Sequence, residues 1–260
     1  MDDESTIPPS ITRLYTWFSA LVTEDYALLD DLLAHGVPVD VPHPLRHTTA
    51  LMEATRLGRI GLVQWLLTHG AAPAFLCGMP KGTPIHAALR RHDWAIARPL
   101  INACEVCSAT DGYGRSPLHM LAMESPDAEY GIAQALELAN RLIKRQCPLD
   151  ALDREGVTAL HYCAIHDFPQ LAELLLICGA DPNTATPDRH VTPLIIAALE
   201  GNITLAQLLV QHGADPHHAT KDGSTPLSIM PRLSRLIGNA TLAVDGPPGG
   251  KHPLPSRRLN

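Results

Sequence analysis

With 260 residues, 45% of them hydrophobic and 18% charged, the chain has ample apolar material for a core; aromatics at 4% leave Leu, Ala, Val and Ile to fill it. A net charge of −7 argues against a general nucleic-acid binder, and no stretch approaches the roughly 18 apolar residues of a membrane span. The acidic opening Met1-Asp2-Asp3-Glu4 has no apolar run behind it, which predicts no signal peptide and makes the six cysteines reduced thiols of a cytoplasmic protein.

Residues 1–12 are a lead without a pattern. A first unit, about 13–41, carries Leu28-Leu29-Asp30-Asp31-Leu32-Leu33-Ala34-His35-Gly36, a helix and its glycine stop. Thr49-Ala50-Leu51-Met52-Glu53-Ala54 opens the next unit, which ends at Gly70. In Thr83-Pro84-Ile85-His86-Ala87-Ala88, Thr83 starts a short helix and Pro84 occupies a first-turn position, where its missing N–H costs nothing. Asp93 caps a second helix with Trp94, Ile96, Ala97, Leu100 and Ile101 facing inward. Pro99 is expected to bend or break it, and Cys104 stands where a capping glycine belongs. Asp111-Gly112-Tyr113-Gly114 is a turn, followed by Ser116-Pro117-Leu118-His119.

Ser125-Pro126-Asp127 starts a fresh helix that runs to Arg145, about two turns too long for its unit. Thr158-Ala159-Leu160-His161 and Thr192-Pro193-Leu194 follow, with second helices stopped at Gly179 and Gly213. Thr225-Pro226-Leu227 begins a last unit that fades by Ile237, and residues 238–260 form a Pro/Gly-rich basic tail, expected to be flexible. The helix-start residues Thr83, Ser116, Thr158, Thr192 and Thr225 lie 33, 42, 34 and 33 positions apart. A period in this range means stacked units, none of which buries its apolar face alone, so residues 13–237 are read as one solenoid.

Thr-Pro-Leu-His-x-Ala-Ala, a second helix ending in Gly-Ala-Asp, and an Asp-x-x-Gly turn together resemble the ankyrin repeat. The resemblance covers about residues 11–237. It implies an all-α array of two antiparallel helices per repeat with β-hairpin-like fingers, the fingers and first helices lining a concave face that binds protein partners. It also makes His86, His119 and His161 structural, hydrogen-bonded around the helix-start threonine, rather than metal ligands.

The other candidates for chemistry are thin. Cys104-Glu105-Val106-Cys107 has zinc spacing but no second pair. His161, Cys163 and His166 do not share a helical face. No nucleophile elbow, phosphate loop or zinc-protease motif is present, so no enzyme, metal or cofactor is expected.

The positions where ankyrin repeats contact partners number thirty over repeats two to seven. They hold nine cations against five acids, a net +4 on a chain whose remainder is −11. Candidate partner-binding residues are Arg56, Arg90, Arg91, Tyr113, Arg115, Met123, Arg154, Ile165, Arg189 and Lys221. The expected partner is another protein with an acidic or amphipathic segment, met by a monomeric adaptor, scaffold or inhibitor; Tyr113, the single aromatic finger, disfavours nucleic acid. Tyr130, near the start of the long helix, marks a second docking edge or a tolerated insertion. Two alternatives keep the fold: a bacterial effector that engages host proteins, with the basic tail as delivery signal, and an enzyme built on Cys163 and His166 or on the Cys104 region.

Overall fold

The computed structural model describes residues 11–77, 81–123 and 129–235. The expected tail, the Ser125-Pro126-Asp127 helix start and the side chain of Tyr130 lie outside the described residues.

Thirteen helices are found among the described residues, in pairs: α1 (Ile11–Thr23) with α2 (Tyr26–Ala34), α3 (Ala50–Arg56) with α4 (Ile60–Thr68), α5 (Pro84–Arg90) with α6 (Trp94–Ala103), α7 (Pro117–Ala122) with α8 (Glu129–Lys144), α9 (Ala159–Ile165) with α10 (Pro169–Ile177), and α11 (Pro193–Leu199) with α12 (Ile203–Gln211). The unpaired α13 (Pro226–Ile229) closes the series. First helices pack on first helices from α3 through α13, and second helices from α4 through α12, giving two layers. Leucine and isoleucine fill the seam: Leu51, Leu66, Ile96, Leu118, Leu138, Leu171 and Leu205 are all buried. The expected all-α solenoid is observed.

Local chemistry sets the helix ends. Thr49, Thr83, Thr158, Thr192 and Thr225 are extended residues whose hydroxyls accept from the backbone N–H three residues on. Asp25, Asp93 and Asn202 do the same for second helices. At the other end Gly179 and Gly213 take φ of 99° and 91°, and the next N–H turns back to Leu175 and Leu209. In repeat four Gln146 adopts the same left-handed conformation at φ 57°, with Cys147 N–H bonded to Leu142 O at 3.0 Å.

Some expectations need correction. Helix α6 runs unbroken through Pro99 to Ala103, because a single missing N–H within ten residues leaves the flanking ladder intact. Cys104 ends it in extended rather than left-handed backbone, and the chain continues to Cys107, whose N–H bonds Arg145 O at 2.9 Å. The fingers are hydrogen-bonded turns, with one isolated β-bridge, Cys77 to Gly82, among the described residues. Helix α1 begins at Ile11, inside the expected lead. The long helix of repeat four is present: α8 has 16 residues where α10 has 9.

Finger length explains the 34-residue interval. Asp111, Asp153 and Thr220 each bond the carbonyl four residues on, whereas Thr186 reaches five, to Val191. The extra residue puts His190 in left-handed backbone where the shorter fingers have Gly114, Gly156 and Gly223. Adjacent fingers are tied by N–H donation from Gly112 to Lys81 O, Arg154 to Tyr113 O and Lys221 to Arg189 O. Repeat six has Pro187 at the donor position; it has no N–H and packs over Gly156 instead.

Candidate partner-binding face

Three histidines lock the fingers to the first helices. His86 Nδ1 accepts from the N–H of Thr83 at 3.3 Å and lies 2.8 Å from its hydroxyl, so the ring proton sits on Nε2, which donates to Arg115 O at 2.9 Å. His119 repeats this toward Ser116 and Val157 O, and His161 toward Thr158 and Val191 O. Each spans from one repeat to the next. All three are buried, and burial pushes their pKa values down, that of His86 to about 4, so they are neutral at pH 7. Both ring nitrogens of each are engaged, which leaves none to ligate a metal.

Five of the six cysteines are equally occupied with packing, and Cys178 is exposed. Cys104, Cys107, Cys147 and Cys163 are buried. Burial raises the Cys163 thiol and pushes Cys147 up to about 11. Exposed His166 makes no hydrogen bond to Cys163 among the described residues, so this pair has no nucleophile–base contact. The neighbouring Cys104 thiol and burial raise the Cys107 thiol, and Cys104 Sγ donates to Val106 O at 3.7 Å.

The candidate contact residues fall on the fingers and on the C-terminal ends of the first helices. Arg56, Arg90 and Ile165 are the last residues of α3, α5 and α9, and Arg91 caps α5; all four are exposed. Arg154, Arg189 and Lys221 are exposed finger residues, and none of these three has an ion pair among the described residues.

Arg115 departs from the expectation of an open cation. Its side chain is 15% exposed, and its Nε and Nη2 hold the buried Asp111 carboxylate at 3.0 and 2.7 Å. The same guanidinium lies 4.5 Å from the Tyr113 ring centre and reaches Met123 Sδ at 3.4 Å. Burial raises the Asp111 carboxyl, but the hydrogen bonds and charge of Arg115 outweigh it and hold the group below the usual range. Arg115 therefore braces the finger of repeat four, leaving Tyr113 half exposed above it. One repeat on, Tyr162 Oη donates to Asp153 Oδ2 at 2.8 Å, bracing the next finger.

Two features escaped sequence reasoning. Lys81 is exposed beside the finger link to Gly112, and its signal was its place two residues before the helix-start Thr83. The second is the relief of the face, which has a cavity at each end. One of about 380 Å3 lies between α1, α3 and the first finger, against Tyr15, Phe18, Val22, His43 and Leu57. The other, also about 380 Å3, lies between the last two fingers and α11, against Arg189, Val191, Ile195, Leu199 and Lys221.

Comparisons with known proteins agree with this architecture. A family model described as ankyrin repeats in three copies matches residues 93–186 and 172–230. The chain is similar to an ankyrin repeat and LEM domain-containing protein 1 homolog of Caenorhabditis elegans, 38% identical over 71 residues, which is 27% of this chain and 9% of that protein. It is 30% identical to NF-kappa-B inhibitor alpha of Sus scrofa over 105 residues, 40% of this chain and 32% of the relative. The chain spans about a tenth to a third of these curated relatives. Among solved structures, the ankyrin repeat domain of Bcl-3, described as a member of the IkappaB protein family, superposes with a TM-score of 0.70 at 22% identity, over 91% of this chain and 100% of that one. At that identity the likeness concerns the fold.

Proposed function

The chain belongs to the ankyrin-repeat family, and from that premise we propose that it is a non-enzymatic protein-binding module, an adaptor, scaffold or inhibitor, that holds an acidic or amphipathic partner segment along its finger and first-helix face. The observation that carries this reading is two parallel rows of side chains. Finger residues present one exposed cation in most repeats: Arg46, Lys81, Arg154, Arg189 and Lys221. The ends of the first helices present aliphatic or thioether groups beside them: Leu57, Met123, Ile165 and Leu199. Cations at a rim raise association rates and select partner charge, while apolar contacts beside them supply the burial that holds the complex. The relative named for inhibition of NF-kappa-B fits a role exerted on another protein. The module acts as a cytoplasmic monomer in this reading.

The test is affinity capture from extract with the purified chain, quantified for wild type, for Arg154→Glu with Arg189→Glu, and for Lys144→Glu on the second-helix side. Two reversed rim contacts should lower capture about tenfold, and Lys144→Glu should leave it unchanged. Equal loss in both variants would place the contact surface elsewhere.

A further inference from the structure

The groove between repeats six and seven coincides with a change in the repeat pattern. In repeats three, four and five the third residue after the helix-start Thr or Ser is a histidine that crosses to the next finger. In repeat six that residue is Ile195, which cannot hydrogen-bond to the finger, and the carbonyl of Ser224, just before Thr225, accepts from the Thr220 N–H within its own turn. Beside Ile195 lies a cavity of about 380 Å3. Ile195 forms its buried floor, Val191 and Ile229 are half-buried in it, and Leu199 stands 62% exposed at its edge. Arg189 and Lys221 stand at the rim on neighbouring fingers joined by a backbone hydrogen bond of 3.1 Å. The lining acid, Asp222, accepts from the hydroxyls of Thr220 and Ser224 and is thereby turned into its own finger.

We propose that this groove is the anchor point of the face, and that its occupant is one aliphatic side chain of an extended partner segment with carboxylates on either side of it. The inference rests on the proposed partner-binding role and narrows it to one junction and one chemistry. The apolar floor of Ile195, Val191 and Ile229 favours a group without hydrogen-bonding needs, since the polar lining residues Thr220, Asp222 and Ser224 are hydrogen-bonded to one another. The rim cations then select carboxylates. Stacked elements lie about 10 Å apart, and an extended chain covers that distance in about three residues. An acid one or two positions from the buried aliphatic residue therefore reaches Arg189 on one side or Lys221 on the other.

The probe is a fluorescein-labelled nonapeptide with a central leucine between blocks of alternating aspartate and glutamate, titrated against the full chain and followed by anisotropy. Saturable binding is expected, with a loss of about tenfold or more when leucine becomes serine or all acids become lysine. Leu199→Asp, and Arg189→Glu with Lys221→Glu, should each weaken the acidic peptide about tenfold, while Arg141→Glu with Lys144→Glu, on the second-helix side, should leave it within about twofold; Arg56→Glu with Arg90→Glu reads the rest of the face. Leu199→Ser serves if the aspartate variant fails to keep the helical circular dichroism of the wild type. Weakening by the Arg56 and Arg90 pair but not by the groove variants would overturn the anchor assignment and leave the broader face standing. Absence of binding, or equal binding of the lysine peptide, would overturn the chemistry assigned to the occupant; the capture assay above judges the face independently. Self-association in sedimentation that Leu199→Asp abolishes would give the groove to a second copy of the chain, and would likewise overturn the proposal.

Discussion

Acid should loosen this protein well above the pH at which carboxylates protonate, and His86 sets the size of the effect. Its ring is fully buried, bridges Thr83 and Arg115, and titrates at about 4 rather than 6.5. A folded-state pKa below the unfolded one means that the unfolded chain binds the proton first, so stability falls as pH drops from about 6.5 toward 4. Between pH 7 and pH 5 this one residue should remove about 2 kcal/mol. Burial shifts His119 and His161 in the same direction, adding to the slope. Urea denaturation at pH 7, 6 and 5, followed by circular dichroism, reads the effect. The comparison protein is His86→Met, since Met52 stands at the matching place after Thr49 in repeat two. Losing the bridge should cost about 1–3 kcal/mol at pH 7, because the Thr83 N–H and the Arg115 carbonyl lose partners. The variant should then converge on wild type by about 2 kcal/mol at pH 5. Parallel stability curves for the two proteins would refute the argument that His86 is held neutral by its burial.

Two further outcomes follow from the fingers and helix stops. At Gly156 a Cβ would lie 2.2 Å from Pro187 Cδ with φ at 75°, whereas at Gly213 nothing lies within 4 Å and φ is 91°. Thermal unfolding should show Gly213→Ala costing about 1 kcal/mol and Gly156→Ala about 3 kcal/mol or more, the difference being the clash; similar costs would mean that the Pro187 ring yields freely. Arg115→Ala strands the buried Asp111 carboxylate with only backbone donors and should cost about 3 kcal/mol. Arg154→Ala, on an exposed finger, should stay within about 0.5 kcal/mol. Equal stability of these two variants in the same assay would show that Arg115 does not brace its finger.

Much of the fold was legible because each repeat states its own boundaries. Thr83 and Pro84, or Gly179 followed by Ala180 and Asp181, act within a few residues of themselves, and capping chemistry needs no distant partner. The break expected at Pro99 does not occur, for the complementary reason: a helix held from both sides by packing tolerates a missing hydrogen bond that would end an isolated one. The candidate face was legible as a set of positions but not as a set of states. Arg115, four residues after Asp111, and Arg154, one residue after Asp153, both read in sequence as exposed finger cations, yet one is spent on a buried carboxylate and the other is exposed to solvent.

By itself the sequence determined the period, the caps, the all-helical array and the place where repeat four is enlarged, since all of these depend on interactions within one or two turns of chain. Only the tertiary structure decided which charges remain available and where the face is hollow. Those properties belong to contacts between repeats. The groove over Ile195 is formed between two fingers and a first helix of neighbouring repeats, and Arg115 is withdrawn because a carboxylate four residues away is buried by the neighbouring units.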